Sequence, residues 1–293
     1  MTRVHILAPP DFRALELLRD AGVESAPVQE AEAILVAPRS ASQLRDLLPM
    51  AKNVRWIHTL AAGVESLPFD LLRNSVITVT NSRGLYADAL GEFVIAAMLW
   101  FAKDLRRLVR NQAARKWEPF DVEWLQGKTV AVIGYGGIGS AIGRRAEAMG
   151  MNVLPVRRSA GDVDDVIAKS DYVVLSTPLT PATRGLMNAA RIGKLQSQAV
   201  LINVSRGAIV DERALIDALR EKRIRGAALD VFETEPLPPD HPLWTLDNVL
   251  ISPHSADHTF DAHERAMRFF LENLGRYERG EKLGNIVDRD AGY

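Results

Sequence analysis

Short apolar runs alternate along most of the chain with stretches in which apolar side chains recur every three or four residues. In the first part, the runs Val4–Leu7 and Ala33–Val36 are separated by Phe12–Asp20, and Ala41–Leu48 follows them. The runs predict buried strands, and the wider spacing predicts helices. Further strands are predicted at Trp56–Ile57, Val76–Val79, Thr129–Ile133, Asn152–Val156, Tyr172–Leu175, Val200–Asn203, Gly226–Leu229 and Val249–Ile251. Strands this apolar, separated by helices, indicate parallel sheets covered on both faces.

Two longer helices divide this alternating pattern. The spacing predicts one long apolar helix over Ala87–Arg110, which joins the two halves of the chain. An amphipathic helix is predicted over His263–Tyr277, and we expect it to return to the first half. The pattern therefore predicts two α/β domains, the second inserted into the first.

The balance of charges and the absence of cysteine narrow the classes of function. The 36 basic and 37 acidic side chains give a net charge of -1, which favours neither nucleic-acid binding nor electrostatic binding to a membrane surface. Without cysteine, disulfides, thiolate nucleophiles and cysteine-ligated metal centres are excluded, and we predict no metal site. The longest apolar run, Phe93–Ala102, has ten residues, about half of a bilayer span. With no signal-peptide pattern at the start, we expect a cytoplasmic protein.

A glycine-rich turn that fits the pattern G-x-G-x-x-G follows the predicted strand Thr129–Ile133, and a helix is predicted after it at Ala141–Met149. The first glycine of this pattern allows a tight turn, the second lets the backbone approach a pyrophosphate, and the third lets helix and strand pack closely. Free N–H groups at the helix N-terminus stabilise bound phosphate. Glycine-rich turns also occur where nothing binds, but the flanking strand and helix favour a dinucleotide site. The predicted cofactor-binding residues of the turn are Gly134, Gly136, Gly137, Ile138 and Gly139.

The residues that follow the next predicted strand favour a phosphorylated ribose. An NAD site usually has an acidic residue about 20 positions after the turn, where it binds the ribose hydroxyls. Here the sequence reads Arg157, Arg158 and Ser159, with no acidic residue before Asp162. Guanidinium groups pair with phosphate oxygens, whereas an acid would repel them. A solvated arginine pair is the alternative. We expect NADP(H) to be favoured, with NAD(H) as a possible cofactor.

Several further segments occur in an order that resembles one enzyme family. They are Ala61–Glu65, Val79–Asn81, Thr177–Thr183, Leu201–Glu212, Ala228–Pro236 and Ile251–His254. With them, the sequence from about Val54 to His254 resembles the D-isomer-specific 2-hydroxyacid dehydrogenases, which include glyoxylate/hydroxypyruvate reductases and phosphoglycerate dehydrogenases. The resemblance implies hydride transfer between NAD(P)H and a small 2-oxo or 2-hydroxy acid.

The resemblance also implies a fold and its domain boundaries. The expected fold is α/β, with two Rossmann-like, doubly wound parallel-sheet domains and the nucleotide-binding domain inserted into the substrate domain. The flavodoxin-like substrate domain is expected at 1–86 and 261–293, and the dinucleotide-binding Rossmann domain at 87–260.

Three residues match the catalytic positions of this family. Arg206 matches the arginine that binds substrate, Glu235 the acid and His254 the catalytic histidine, which also binds substrate. The chemistry needs these types, because an arginine pairs with a carboxylate, an imidazolium protonates a ketone oxygen, and a carboxylate fixes the imidazole tautomer. Without the resemblance, Arg206 is as well explained as a solvated charge and Glu235 as a turn residue. His258, four residues after His254, is the rival histidine.

Further contacts are carried over from the family by matching residues. For the substrate carboxylate these are backbone groups of Gly63 and Val64. For the cofactor they are Thr177, Pro178, Thr183, Val204, Ser205 and Asp230. In this family the region of the long apolar helix forms a dimer interface, so we expect a homodimer, although burial between domains would also explain its composition. The sequence departs from the family at Asp257 and His258, where small residues are usual, and these could alter substrate preference.

Two other functions remain open on the sequence. One is oxidation of an inorganic acid, as in phosphite-type dehydrogenases. Formate-type relatives replace the acid partner, so Glu235 counts against that branch. The other is a non-catalytic, dinucleotide-sensing protein like the family's transcriptional co-repressors. Assays with a panel of 2-oxo acids distinguish an enzyme from such a protein.

Overall fold

The computed structural model describes residues 2–9, 11–12, 14–38, 40–157 and 163–288. The strands are β1 Val4–Leu7, β2 Ala33–Val36, β3 Trp56–Thr59, β4 Thr78–Asn81, β5 Thr129–Ile133, β6 Asn152–Val156, β7 Tyr172–Leu175, β8 Val200–Asn203, β9 Gly226–Leu229 and β10 Val249–Ile251. The helices are α1 Leu15–Asp20, α2 Leu44–Leu47, α3 Phe69–Leu72, α4 Ala87–Ala102, α5 Leu105–Ala113, α6 Gly137–Ala148, α7 Val163–Ile167, α8 Ala189–Ile192, α9 Glu212–Arg220 and α10 Ala262–Glu278. Short 3₁₀ turns lie at Ala41–Gln43, Leu48–Met50, Gly207–Ile209 and Pro242–Thr245. The chain forms two compact units, one of residues up to 86 with those from 259 onward, the other of residues 87–258.

The first unit contains a parallel sheet whose strands β1 to β4 lie side by side in chain order. Ser25 adds an isolated parallel bridge to Val4. The strands are apolar because their side chains are covered on both faces. The indole of Trp56 on β3 stacks on the ring of Phe270 of α10 with 5.3 Å between the ring centres, so α10 packs on this sheet.

The second unit contains a six-stranded parallel sheet in the order β10-β9-β8-β7-β5-β6. The strand order reverses at β5, which pairs with β6 on one edge and β7 on the other. In open parallel sheets, ligands bind beyond the carboxyl ends of the strands at such a reversal. The glycine-rich turn follows β5, so the fold places it at this position. The prediction of doubly wound parallel sheets is thereby confirmed.

The prediction of one long apolar helix over Ala87–Arg110 is wrong in one respect, because this segment forms two helices. α4 ends at Ala102 and α5 begins at Leu105. Between them Asp104 has a left-handed backbone, with φ of 45°, and its side chain accepts the N–H of Arg107. Aspartate at an N-cap satisfies an N–H that the helix leaves unpaired, so the side chain begins a new helix there.

Other boundaries differ by a few residues from the predicted ones. β4 begins at Thr78 rather than Val76, which is 77% exposed and so gains nothing from the sheet. α6 begins at Gly137 rather than Ala141, because the glycines of the turn form its first turn. Within the described residues, the structure contains no helix with the length and apolar character needed to cross a bilayer.

Candidate active site

A histidine and a glutamate form a close pair beyond the carboxyl ends of two strands of the second unit. Nδ1 of His254 lies 2.7 Å from Oε2 of Glu235, and both side chains are partly exposed. Glu235 follows β9, and His254 follows β10, its neighbour in the sheet. The carboxyl ends of neighbouring parallel strands meet at one edge, which explains how residues 19 positions apart come together.

The backbone of His254 is held in a left-handed conformation by Asp230. The φ angle of His254 is 53°, a region that most side chains avoid. Its N–H donates to the carbonyl of Asp230 at 2.8 Å. The buried Asp230 carboxylate accepts the hydroxyl of Ser252 at 2.6 Å and the N–H of Ser255 at 2.9 Å. These bonds on both sides of His254 stabilise the conformation that directs its ring towards Glu235.

The loop that carries Glu235 is stabilised by backbone contacts. Oε1 of Glu235 accepts the N–H of Phe232 at 2.9 Å, which leaves Oε2 for His254. Gly207 packs so closely on the Phe232 carbonyl that a Cβ atom at residue 207 would overlap it. The loop after β8 and the loop after β9 are therefore in direct contact.

Arg206 lies in that loop after β8 and acts electrostatically on the pair. Its Nη1 donates to the carbonyl of Ser205 at 2.6 Å. Asn203 accepts the N–H and hydroxyl of Ser205 and donates to the carbonyl of Arg206, so this loop has a defined backbone. The positive charge of Arg206 lowers the pKa values of both Glu235 and His254.

The pair favours an ionised carboxylate and a protonated imidazole. The hydrogen bond that Glu235 accepts raises the pKa of His254 above its ordinary value, although burial opposes this and the charges of Glu235 and Asp230 add to it. Burial acts to raise the pKa of Glu235, but the bonds from His254 and the Phe232 N–H outweigh it and lower that pKa. The described residues form no hydrogen bond to Nε2 of His254, so this nitrogen is available to give or take a proton.

The glycine-rich turn has the shape that a dinucleotide pyrophosphate requires. Gly134 has φ of 96°, and a Cβ there would lie 2.7 Å from the Thr177 nitrogen. A Cβ at Gly139 would overlap the carbonyl of Gly134, so helix and turn can approach only with glycine. By contrast, hypothetical Cβ atoms at Gly136 and Gly137 meet nothing within 4 Å. Open space therefore lies over the N-terminus of α6, where N–H groups bind phosphate, and these residues fit the cofactor.

Comparisons with known proteins agree with this geometry. The family model described as D-isomer specific 2-hydroxyacid dehydrogenase, NAD binding domain, matches residues 95–256, more than half of the chain. The chain belongs to this family.

Individual relatives extend the match beyond the nucleotide-binding unit. A glyoxylate reductase from Thermofilum pendens is 33% identical over 84% of this chain and 78% of its own length. A D-3-phosphoglycerate dehydrogenase from Methanocaldococcus jannaschii is 31% identical over 98% of this chain, which spans 60% of that protein. A D-isomer specific 2-hydroxyacid dehydrogenase from Xanthobacter autotrophicus, solved with NADPH and MES, is 30% identical, with a TM-score of 0.86 and coverage of 100% of this chain and 99% of that one. This member of the family is accordingly an NAD(P)-dependent oxidoreductase.

Of the three residues predicted to bind the ribose phosphate, Arg157 is described, and it lies at the end of β6. Arg157 is exposed there, and its guanidinium carbon lies 5.5 Å from the centre of the Tyr135 ring. Tyr135 belongs to the glycine-rich turn, so this contact joins the two parts of the predicted cofactor site. Arg158 and Ser159 lie outside the described residues, and their role stays a prediction.

The other predicted cofactor residues surround the same edge of the sheet. The hydroxyl of Thr183 donates to the carbonyl of Pro178 at 2.6 Å, which closes the loop after β7, and Thr177 lies at its start beside Gly134. Val204 and Ser205 are buried just after β8. Asp230 accepts bonds from the His254 loop, a contact that the sequence did not predict. All follow strands of the second unit, as a nucleotide site there requires.

Gly63 and Val64, predicted to bind the substrate carboxylate, lie in the first unit, in the loop after β3. Val64 is buried, and the loop is held by the side chain of Asn81, which donates to the carbonyl of Ala62 at 2.7 Å. Their role in binding substrate stays a prediction.

Three other histidines have other partners. His58 is buried, and its Nδ1 lies 2.8 Å from Oγ1 of Thr80. His258 is exposed and lies 3.8 Å from Asp257. His241 pairs with Glu212 at 3.2 Å, a contact that sequence reasoning missed because the two residues lie in segments with no shared pattern. Among the described residues, no group of three histidine, aspartate or glutamate side chains is arranged to hold a metal ion.

Proposed function

We propose that this protein is an NADP(H)-dependent reductase of small 2-oxo acids of the glyoxylate or hydroxypyruvate type. The observation that carries the proposal is the bond between His254 Nδ1 and Glu235, with Nε2 of the same ring available and Arg206 acting on both. The T. pendens relative, a glyoxylate reductase, supports the substrate class.

Arg206 binds the carboxylate of the oxo acid in this mechanism. Its guanidinium group pairs with two carboxylate oxygens through parallel N–H bonds, which orients the substrate as well as holding it. The adjacent carbonyl of the substrate then lies towards His254, because the carboxylate and ketone carbons are directly bonded.

His254 donates the proton that the carbonyl oxygen requires. When bound, the reduced nicotinamide supplies the hydride for the carbonyl carbon. Negative charge develops on the carbonyl oxygen, and the Nε2–H of protonated His254 stabilises that charge and transfers its proton. Glu235 stabilises the imidazolium before transfer and keeps a hydrogen on Nδ1 afterwards, so the ring is in the correct tautomer for the reverse oxidation.

NADP(H) is the favoured cofactor in this proposal. Arg157 lies exposed at the end of β6, where the adenine ribose of a dinucleotide binds in this fold, and its charge attracts a 2′-phosphate. The X. autotrophicus relative was solved with NADPH, which supports the same preference.

Steady-state kinetics test the proposal. With NADPH we expect turnover of glyoxylate, hydroxypyruvate or a related short 2-oxo acid, measured as loss of absorbance at the nicotinamide band, and lower efficiency with NADH. If NADPH binds but none of glyoxylate, hydroxypyruvate, pyruvate and phenylpyruvate is reduced, the assignment as a reductase is wrong and a binding protein is the better interpretation.

We also propose that the protein is a homodimer that associates through the segment 105–124. Eight of the 16 residues of α4 are buried in the single chain, so burial explains part of its apolar character without a partner. The next segment exposes Val109 and two indoles, with Trp117 96% and Trp124 74% exposed. A contiguous stretch with this much exposed aromatic surface is typical of a protein interface.

A further inference from the structure

A second carboxylate–imidazole pair contacts the loop that carries Glu235. Oε1 of Glu212 lies 3.2 Å from Nε2 of His241, and the two side chains are only 14% and 18% exposed. Nδ1 of His241 accepts the N–H of Leu243 at 3.4 Å, which places the ring hydrogen of this tautomer on Nε2, facing Glu212. The pair is therefore oriented and largely shielded from water.

The other oxygen of Glu212 reaches the loop itself. Oε2 accepts the N–H of Glu233 at 3.1 Å. The preceding N–H, that of Phe232, is accepted by Glu235 at 2.9 Å. Two carboxylates thus bind consecutive N–H groups of one loop, and one of these carboxylates is the partner of His254. Glu212 is the first residue of α9, so its backbone is fixed by a helix.

The loop depends on such contacts because residues 232–236 belong to no helix or strand. On one side, Gly207 packs against the Phe232 carbonyl. On the other, the Glu212 carboxylate binds Glu233. Removing a carboxylate from water costs free energy that paired donors must offset, and the N–H of Glu233 and the ring of His241 are those donors.

We propose that Glu212 and His241 are positioning residues for Glu235, which hold its loop so that the Glu235 carboxylate remains bonded to His254. The inference rests on the proposed function, in which His254 is the proton donor. The charged groups that act on His254 are Glu235, Arg206 and Asp230, and the hydrogen bond to Glu235 has the largest effect on the His254 pKa. A displacement of the Glu235 carboxylate therefore weakens the strongest of these interactions.

The test compares pH profiles of kcat/KM for 2-oxo acid reduction in the full-length protein. Glu212→Gln keeps the size of the side chain but places an amide where it cannot accept both bonds. His241→Asn keeps an acceptor for the Leu243 N–H and removes the bond to Glu212. Glu235→Gln serves as the reference for complete loss of the carboxylate. Glu221→Gln, at the exposed end of the same helix, is the matched control.

Protonated His254 is required for reduction, so activity falls as pH rises through its pKa. We expect that midpoint to move to lower pH by about 0.5 to 1 unit in Glu212→Gln and His241→Asn, and by about 1 to 2 units in Glu235→Gln. The Glu221→Gln midpoint should equal that of the wild type. A purely structural role would lower kcat or thermal stability without moving the midpoint.

Two results separate the inference from the proposed function. If Glu235→Gln moves the midpoint but neither Glu212→Gln nor His241→Asn does, the positioning role is wrong and the reductase mechanism stands. If the Glu235→Gln midpoint itself stays at the wild-type value, the proposed role of His254 fails, and the inference fails with it.

Discussion

The charge on His254 depends on residues from two loops, because Asp230 lies in the same loop as Glu235. Glu235 follows β9, Arg206 follows β8, and Asp230 both raises the His254 pKa and binds the loop around it. Glu235 and Arg206 were predicted because each lies in a motif that can be matched residue by residue. The structural role of Asp230 was not, because no sequence pattern shows that one carboxylate oxygen accepts bonds from residues 22 and 25 positions away.

The Glu212–His241 pair shows a second limit of prediction from the sequence at the residue scale. Neither residue differs from an ordinary helix N-terminal acid or loop histidine when seen in sequence. Their contact joins the residue before the turn Pro242–Thr245 to the first residue of α9, and tertiary contacts of irregular segments have no periodic signal.

Replacement of Arg157 tests the cofactor preference. In Arg157→Ala, the 2′-phosphate of NADPH loses one charged partner, and a hydrogen bond to a charged group contributes about 1.5 to 3 kcal/mol. We expect KM for NADPH to rise by about tenfold or more while KM for NADH changes little. Arg144→Ala, which removes an exposed arginine of α6, is the control. An equal rise for both cofactors would remove Arg157 from recognition of the phosphate.

At the scale of elements, strands were predicted well and the break between helices was not. β5 and β7–β10 lie where the apolar runs placed them, since a buried parallel strand and its apolar run have the same ends. The break at Asp104 was missed because apolar spacing continues from α4 into α5, and one capping side chain outweighs that spacing. The pattern indicates which face is buried, whereas local hydrogen bonds decide where a helix ends.

His58 on β3 gives the first unit a predicted dependence on pH. Burial lowers the pKa of His58 from 6.5 to about 3, and the described residues provide no hydrogen-bond partner for its Nε2. The folded unit keeps the ring neutral, while the unfolded chain takes up a proton below pH 6.5. The free energy of unfolding is therefore unaffected by this ring above pH 6.5, and it decreases as the pH falls from 6.5 towards 3. Between pH 6.5 and 5 the loss is about 2 kcal/mol.

Urea denaturation at pH 7 and pH 5 measures this effect. We expect His58→Gln to lose about 2 kcal/mol less stability than the wild type over that interval. Trp56→Phe removes the indole that donates to Oγ1 of Thr80 but no titratable group, so its pH dependence should match the wild type. Identical pH dependence in His58→Gln and the wild type would show that this ring is not the cause.

At the scale of the whole molecule, the oligomeric state is the property that the sequence and structure of a single chain define least. The sequence suggested a dimer from the apolar character of Ala87–Arg110, but half of the residues of α4 are already buried in the single chain. The proposed dimer rests on exposed side chains of the segment 105–124. The sequence alone does not distinguish these side chains from buried ones. Burial of an aromatic residue depends on its surroundings in space, which spacing along the chain does not define.

Sedimentation velocity tests the proposed dimer. We expect a species of about twice the 32.3 kDa chain mass at micromolar concentration, and dissociation in Trp117→Glu, where a buried interface would contain an unpaired charge. Phe260→Glu, which alters a fully exposed aromatic residue of the other unit, should sediment as the wild type. A wild-type protein that sediments as a single chain at these concentrations would contradict the proposal.

The proposed mechanism depends most on the hydrogen bond between Glu235 and His254. The pH dependence of 2-oxo acid reduction by the Glu235→Gln variant tests that bond directly. The amide keeps an oxygen for the Phe232 N–H but has no charge to stabilise the imidazolium, so the His254 pKa falls. With NADPH and the best 2-oxo acid, the account predicts that kcat/KM declines at lower pH than in the wild type, while KM for NADPH is unchanged. Superimposable profiles, or full activity in the variant at pH 8, would contradict it.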